Sequence, residues 1–143
     1  MKVGMATHVG KVRTINEDSI GYQGTLLVLA DGMGGHQAGE VASALVVERV
    51  LALDTNNPDF KTALDSTLDD ANRALLAYAG EHQECLGMGT TVVVVKVAAD
   101  HIGVAHLGDS RAYLWRQGQL IKLTVDHSLV TELLRSGGIT EEE

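Results

Sequence analysis

Gly24-Thr25-Leu26-Leu27-Val28-Leu29-Ala30-Asp31 is a continuous apolar run that ends in Asp-Gly. A short run of this kind reads as a strand buried on both faces, with the chain emerging at Asp31. Gly32, Gly34 and Gly35 then form a loop. Downstream, residues from about Ala38 to Leu53 read as a mostly buried helix, with Val41 and Leu45 inward and Glu40 and Glu48 on other faces. Asn57-Pro58 reads as a helix start, Asn as cap and Pro in the first turn. Phe60, Leu64, Leu68, Ala71, Leu75 and Tyr78 recur at steps of three and four, an amphipathic helix with Asp65, Asp69 and Arg73 on its wet side.

Beyond Gly87-Met88-Gly89 the pattern turns to strands. Thr90 to Val97 is rich in β-branched residues and apolar on both faces, and His101 to Leu107 alternates. Ala112–Arg116 and Gln119–Leu123, joined by Gln117-Gly118, read as a hairpin. Ser128 is expected to cap a short helix, Leu129 to Arg135, stopped by Gly137-Gly138. The order of elements is α+β, with antiparallel strands rather than regular βαβ alternation. Thr140-Glu141-Glu142-Glu143 carries a capping-box signature: a frayed acidic tail, or the first turn of a helix in a longer protein.

With 143 residues the chain has room for one core. A hydrophobic fraction of 45% and a charged fraction of 21% suit a soluble globular domain rather than a disordered one. The net charge of −8 argues against a nucleic-acid binder, which needs basic residues to displace counterions, and against an anionic-membrane binder. The first ten residues contain no apolar stretch of the secretory kind, and the apolar runs are too short to span a bilayer. A single cysteine, Cys85, excludes an internal disulfide and suits a reduced, cytoplasmic chain.

Three clusters carry candidate chemistry. Arg13-Thr14-Ile15-Asn16-Glu17-Asp18 sets a guanidinium, suited to a planar oxyanion, beside two carboxylates, suited to a hard cation. A solvated turn explains the same residues equally well. Asp31-Gly32-Met33-Gly34-Gly35-His36 delivers one Asp into a loop where backbone groups can approach a ligand closely. It lacks the Gly-Lys-Ser/Thr of a phosphate-binding Walker loop and the alternating acids of an EF-hand. His36 and Glu40 have no second His nearby, so zinc is disfavoured. Ala105-His106-Leu107-Gly108-Asp109-Ser110-Arg111 ends a second strand in Gly-Asp. Asp109 and Arg111 could form a simple turn ion pair. A serine-esterase nucleophile at Ser110 is disfavoured, because its block belongs near the amino terminus and only Asp126-His127 could complete a triad.

Taken in order, Arg13–Asp18, Ala30–Ser43, Gly87–Thr91, Ala105–Arg111 and Asp126–Val130 resemble the bacterial protein phosphatase 2C family of metal-dependent serine/threonine phosphatases. The resemblance implies a four-layer α-β-β-α sandwich of two antiparallel sheets. It also implies two Mn²⁺ or Mg²⁺ ions, bridged by a water that attacks phosphorus in line. By that resemblance Asp31 bridges the ions and the Gly32 carbonyl binds one. Glu17 and Asp18 coordinate directly or through waters, Arg13 grips the phosphoryl oxygens, and Asp109 takes a third, weaker ion. His36 is a candidate proton donor to the leaving hydroxyl, although some relatives place that His directly after Asp-Gly, where Met33 stands here.

The family's catalytic domain is longer, and its later part supplies two further aspartates and more strands. Residues 1–143 therefore read as the amino-terminal part of one catalytic domain, its sandwich incomplete at the carboxyl end. The expected substrates are phosphoproteins made by a serine/threonine kinase. The alternative is a non-catalytic phosphoprotein-binding or regulatory fragment. The isolated chain is expected to be inactive, to hold metal weakly, and to self-associate or order poorly.

Overall fold

A computed structural model describes residues 1–35 and 38–127. Its elements are β1 (Asp18–Gln23), β2 (Leu26–Met33), α1 (Ala38–Leu51), α2 (Phe60–Glu81), β3 (Gly89–Thr90), β4 (Val92–Val97), β5 (Ile102–Leu107), β6 (Tyr113–Arg116) and β7 (Gln119–Lys122). The main sheet runs β1-β2-β4-β5, all antiparallel, with β3 continuing the β4 side of β2, and β6-β7 forms a separate hairpin. This is the expected mixed architecture with two antiparallel sheets. The expected helix over 129–135, the capping box at 140–143 and His36 lie outside the described residues.

The core lies between the helices and one face of the main sheet. Leu26, Val28 and Ala30 alternate inward from β2, with Val92 and Val94 from β4. They meet Ala42, Val46, Val47 and Val50 of α1 and Leu64, Ala71 and Leu75 of α2. The buried stripe of α1 thus runs one position past the expected Val41 and Leu45, which are only partly covered. The apolar stripe of α2 packs as its spacing dictates, and Lys96 lies 4.0 Å above the Phe60 ring, tying the helix start to the sheet. Asn57 does not cap α2. Its side-chain oxygen accepts the Asp59 N–H at 2.9 Å in a local turn, and Asp59 occupies the cap position.

Burial of β2 on both faces is not what the structure shows. Its second face turns Leu27 and Leu29 away from the helices, and Leu29 is 42% exposed. Among the described residues that face is covered only in part, by Val3–Ala6 and by Arg111–Tyr113 leading into β6. The hairpin itself forms as expected: Gln117 (φ 53°) and Gly118 (φ 78°) give its two-residue turn the left-handed backbone that matches strand twist.

Candidate metal and phosphate site

β1 and β2 place the first two acidic groups by register alone. Asp18 lies directly opposite Asp31, so two carboxylates share one cross-strand pair. Like charges so placed repel. Asp31 accordingly sits above its ordinary range, first through desolvation, then through Asp18, with Asp109 and Glu17 adding to it. Asp109 thereby belongs to the same electrostatic neighbourhood, although 78 residues separate it from Asp31 in sequence.

A polar cleft at this sheet end is lined by Arg13, Glu17, Asp18, Asp31 and Gly32, together with His8 and Asn16. Arg13 is largely exposed and its guanidinium stands 3.6 Å from the Glu17 carboxylate. Among the described residues no three His, Cys, Asp or Glu side chains close into a ready cage. The acids flank the cleft instead. Asp109 stands on the loop after β5.

The backbone around Asp31 and Gly32 is held from three directions. The Gly32 N–H donates to the Glu17 carbonyl at 3.1 Å. That same carbonyl accepts from the fully buried Ser43 hydroxyl at 2.6 Å, and Ser19 Oγ lies 2.9 Å from Ser43 Oγ. The Thr91 N–H donates to the Asp31 carbonyl at 2.9 Å, and the Thr90 hydroxyl reaches the same oxygen at 3.0 Å. α1 begins close by: a Cβ on Gly32 would run into the Gly39 carbonyl, and a Cβ on Gly39 would run into the Glu17 carboxylate. The first turn of a helix favours such a carboxylate.

Ser110 has Thr91 Oγ1 as its partner at 2.7 Å, not an imidazole. Asp126 is occupied by Arg111 and Lys122, each at 2.6 Å, and His127 stacks on His106. Arg111 and Lys122 hold the Asp126 carboxyl far below the usual carboxylate range. These residues lock the β6-β7 hairpin to the segment after it. Arg111 pairs with Asp126, in place of the turn pair with Asp109 open from sequence.

Four participants carry no role in the sequence reading: His8 and Ser19, which lie outside its motifs, and Ser43 and Thr91, which close two of the motifs. A serine on the apolar stripe of α1 is the one local signal among them. The others act across distances that only the folded sheet closes.

The Protein phosphatase 2C family profile matches residues 12–133. The serine/threonine protein phosphatase PstP of Mycobacterium tuberculosis is 44% identical over 136 residues, covering 94% of this chain and 26% of that protein. The serine/threonine phosphatase stp of Listeria innocua is 37% identical, over 100% of this chain and 61% of its own. Among solved structures, the catalytic domain of PstP in complex with two manganese ions superposes with a TM-score of 0.80 at 44% identity, covering 93% of this chain and 59% of that one. The Streptococcus agalactiae serine/threonine phosphatase gives 0.85 at 36% identity, covering 96% and 61%. The chain thus spans less than two thirds of each of these relatives. With the profile running from just before Arg13 to beyond the Asp126 segment, the chain belongs to the protein phosphatase 2C family.

Proposed function

We propose that the polypeptide carrying this chain is a metal-dependent protein phosphatase that hydrolyses phosphoserine and phosphothreonine to the free hydroxyl and inorganic phosphate. The observation that carries this reading is the convergence of Arg13, Glu17, Asp18, Asp31 and Gly32 on one cleft. Carboxylates and a backbone carbonyl are hard oxygen donors, which suit Mn²⁺ or Mg²⁺ rather than zinc or copper. The cross-strand Asp18–Asp31 repulsion is what a divalent cation would relieve. The manganese in the PstP structure supports the same choice.

In this reading Asp31 and the Gly32 carbonyl would hold two ions, with Glu17 and Asp18 contributing directly or through waters. Asp109 serves a third. When bound, such ions lower the pKa of a water to near neutrality and offset charge on the phosphoryl oxygens. The chain's own part is positioning. Arg13 offers its fork of donors to the phosphoryl oxygens, and Glu17 steadies it without burying it. Phosphoproteins made by a serine/threonine kinase are the substrates, and the buried lone Cys85 fits a cytoplasmic setting.

Because the relatives are longer, the activity is assigned to the longer polypeptide. Residues 1–143 alone are expected to hydrolyse phosphoesters at background rate and to self-associate through the open face of β2.

Aryl phosphate hydrolysis tests the reading. The rate is expected to need Mn²⁺ or Mg²⁺ and to vanish with chelator. Asp31→Asn loses more of kcat than Arg13→Ala, whose main effect is a raised KM. Ser110→Ala retains most of the rate. Full activity in excess chelator, or loss of all activity in Ser110→Ala alone, overturns it.

A further inference from the structure

The pairs Leu29↔Val93 and Gly32↔Thr90 fix the register of β2 against its neighbours. In that register Thr91 stands opposite Asp31. An antiparallel pair of this kind exchanges two backbone bonds. Only one is a backbone pair here, Thr91 N–H to the Asp31 carbonyl. The return bond is made by a side chain: the Asp31 N–H donates to the Thr91 hydroxyl at 3.0 Å. The Thr91 carbonyl, freed from the ladder, accepts from the Thr90 hydroxyl at 2.9 Å.

The same Thr91 hydroxyl lies 2.7 Å from Ser110 Oγ, next to Asp109. Gly108, with φ +95°, is packed so close that a Cβ there would meet Thr91 Cγ2 at 2.7 Å. One half-buried hydroxyl therefore touches both strand-end segments that carry a candidate metal-binding aspartate, Asp31 on β2 and Asp109 after β5.

We propose that Thr91 is a positioning residue for the metal site. Its hydroxyl replaces a ladder carbonyl, sets the direction in which the Asp31 backbone presents its carboxylate, and fixes that carboxylate relative to the Asp109 loop. This rests on the reading of Asp31 as a metal ligand. A group that holds a ligand in place typically governs affinity by about 10- to 100-fold. Valine, which keeps the shape and removes the acceptor, isolates the hydroxyl from the packing against Gly108.

The test uses the full-length polypeptide. Amide hydrogen exchange of Asp31 is measured without metal, and Mn²⁺ affinity by calorimetry. The expected result for Thr91→Val is faster Asp31 exchange, Mn²⁺ affinity weakened about 10- to 100-fold, and a lower kcat with little change in KM. Thr91→Ser, which restores the hydroxyl without the methyl, recovers all three. Thr91→Ala carries the same test if the valine variant folds poorly. Wild-type Mn²⁺ affinity and Asp31 exchange in Thr91→Val overturn the proposal. So does a Thr91→Ser variant as impaired as Thr91→Val, which would assign the effect to packing. A wild-type protein that binds no Mn²⁺ overturns instead the reading of Asp31 on which the proposal rests.

Discussion

Gly32→Ala probes how tightly the end of β2 is seated. The backbone φ of Gly32 lies outside the left-handed region, so an alanine is not excluded by conformation. Space is the obstacle. The added Cβ would lie 2.7 Å from the Glu17 carbonyl oxygen, where ordinary contacts begin at 3.4 Å, and it would overlap the Gly39 carbonyl more severely. Both obstacles are backbone, one leading into β1 and one in the first turn of α1, so no side chain can swing aside. At the Gly39 carbonyl oxygen the added Cβ would stand at 2.0 Å, so an ordinary 3.4 Å contact needs the strand end and the helix start to part by 1.4 Å. Overpacking of this kind costs about 1–3 kcal/mol. For a chain of this size that is a fall of roughly 4–12 °C in melting temperature. The displaced atoms are those assigned to metal, and a misplacement of about 1 Å at a reacting centre can cost 100-fold. Thermal melts by circular dichroism, with Mn²⁺ titration on the same samples, supply the assay. Gly35→Ala is the control, since nothing among the described residues lies within 4 Å of the Cβ it would add. A Gly32→Ala protein that melts with the control and binds Mn²⁺ as the wild type does would refute the reasoning.

Two further outcomes follow from the same geometry. Asp31 is raised above its ordinary value near 3.8, so its ionisation opposes folding. The penalty is absent below that value, grows as pH rises towards the folded-state pKa, and is fully present above it. Metal-free Asp31→Asn is therefore expected to melt higher than the wild type at pH 7 and equally near pH 3; a lower melting temperature at pH 7 would contradict this. Ser43→Ala leaves Ser19 without its buried partner and removes one of two donors to the Glu17 carbonyl. It is expected to cost about 1–2 kcal/mol in denaturant unfolding, and a change below about 0.3 kcal/mol, well inside the range of a neutral surface substitution, counts against the role given to that knot.

The legible parts of the fold were those whose physics is local. The run Leu26–Ala30, the stripe Phe60–Tyr78 and the Gln117-Gly118 turn each declare themselves through spacing or backbone demand. β1 did not, because Ser19, Gly21 and Gln23 leave only Ile20 and Tyr22 as an apolar row. Its strand state is imposed by pairing along β2. Asn57 misled because an Asx turn and a helix cap use the same side-chain oxygen two residues apart. Burial of β2 on both faces misled because apolar content shows what a strand can bury, not which layer is there to bury it. At the site, the ordered motifs pointed to Arg13, Asp31 and Asp109 by resemblance. The pairing of Asp18 with Asp31 needed the register, and Thr91 needed both the register and the loop carrying Ser110.

The central claim is that the acidic end of β2 is a divalent-metal site serving phosphoester hydrolysis. Calorimetric titration of Mn²⁺ into the full-length wild-type polypeptide and its Asp31→Asn variant, each followed by an aryl phosphate assay in the same cell, tests it most directly. The account predicts Mn²⁺ binding and metal-dependent turnover in the wild type, and loss of both in Asp31→Asn. Equal binding and equal turnover in the two proteins would contradict it.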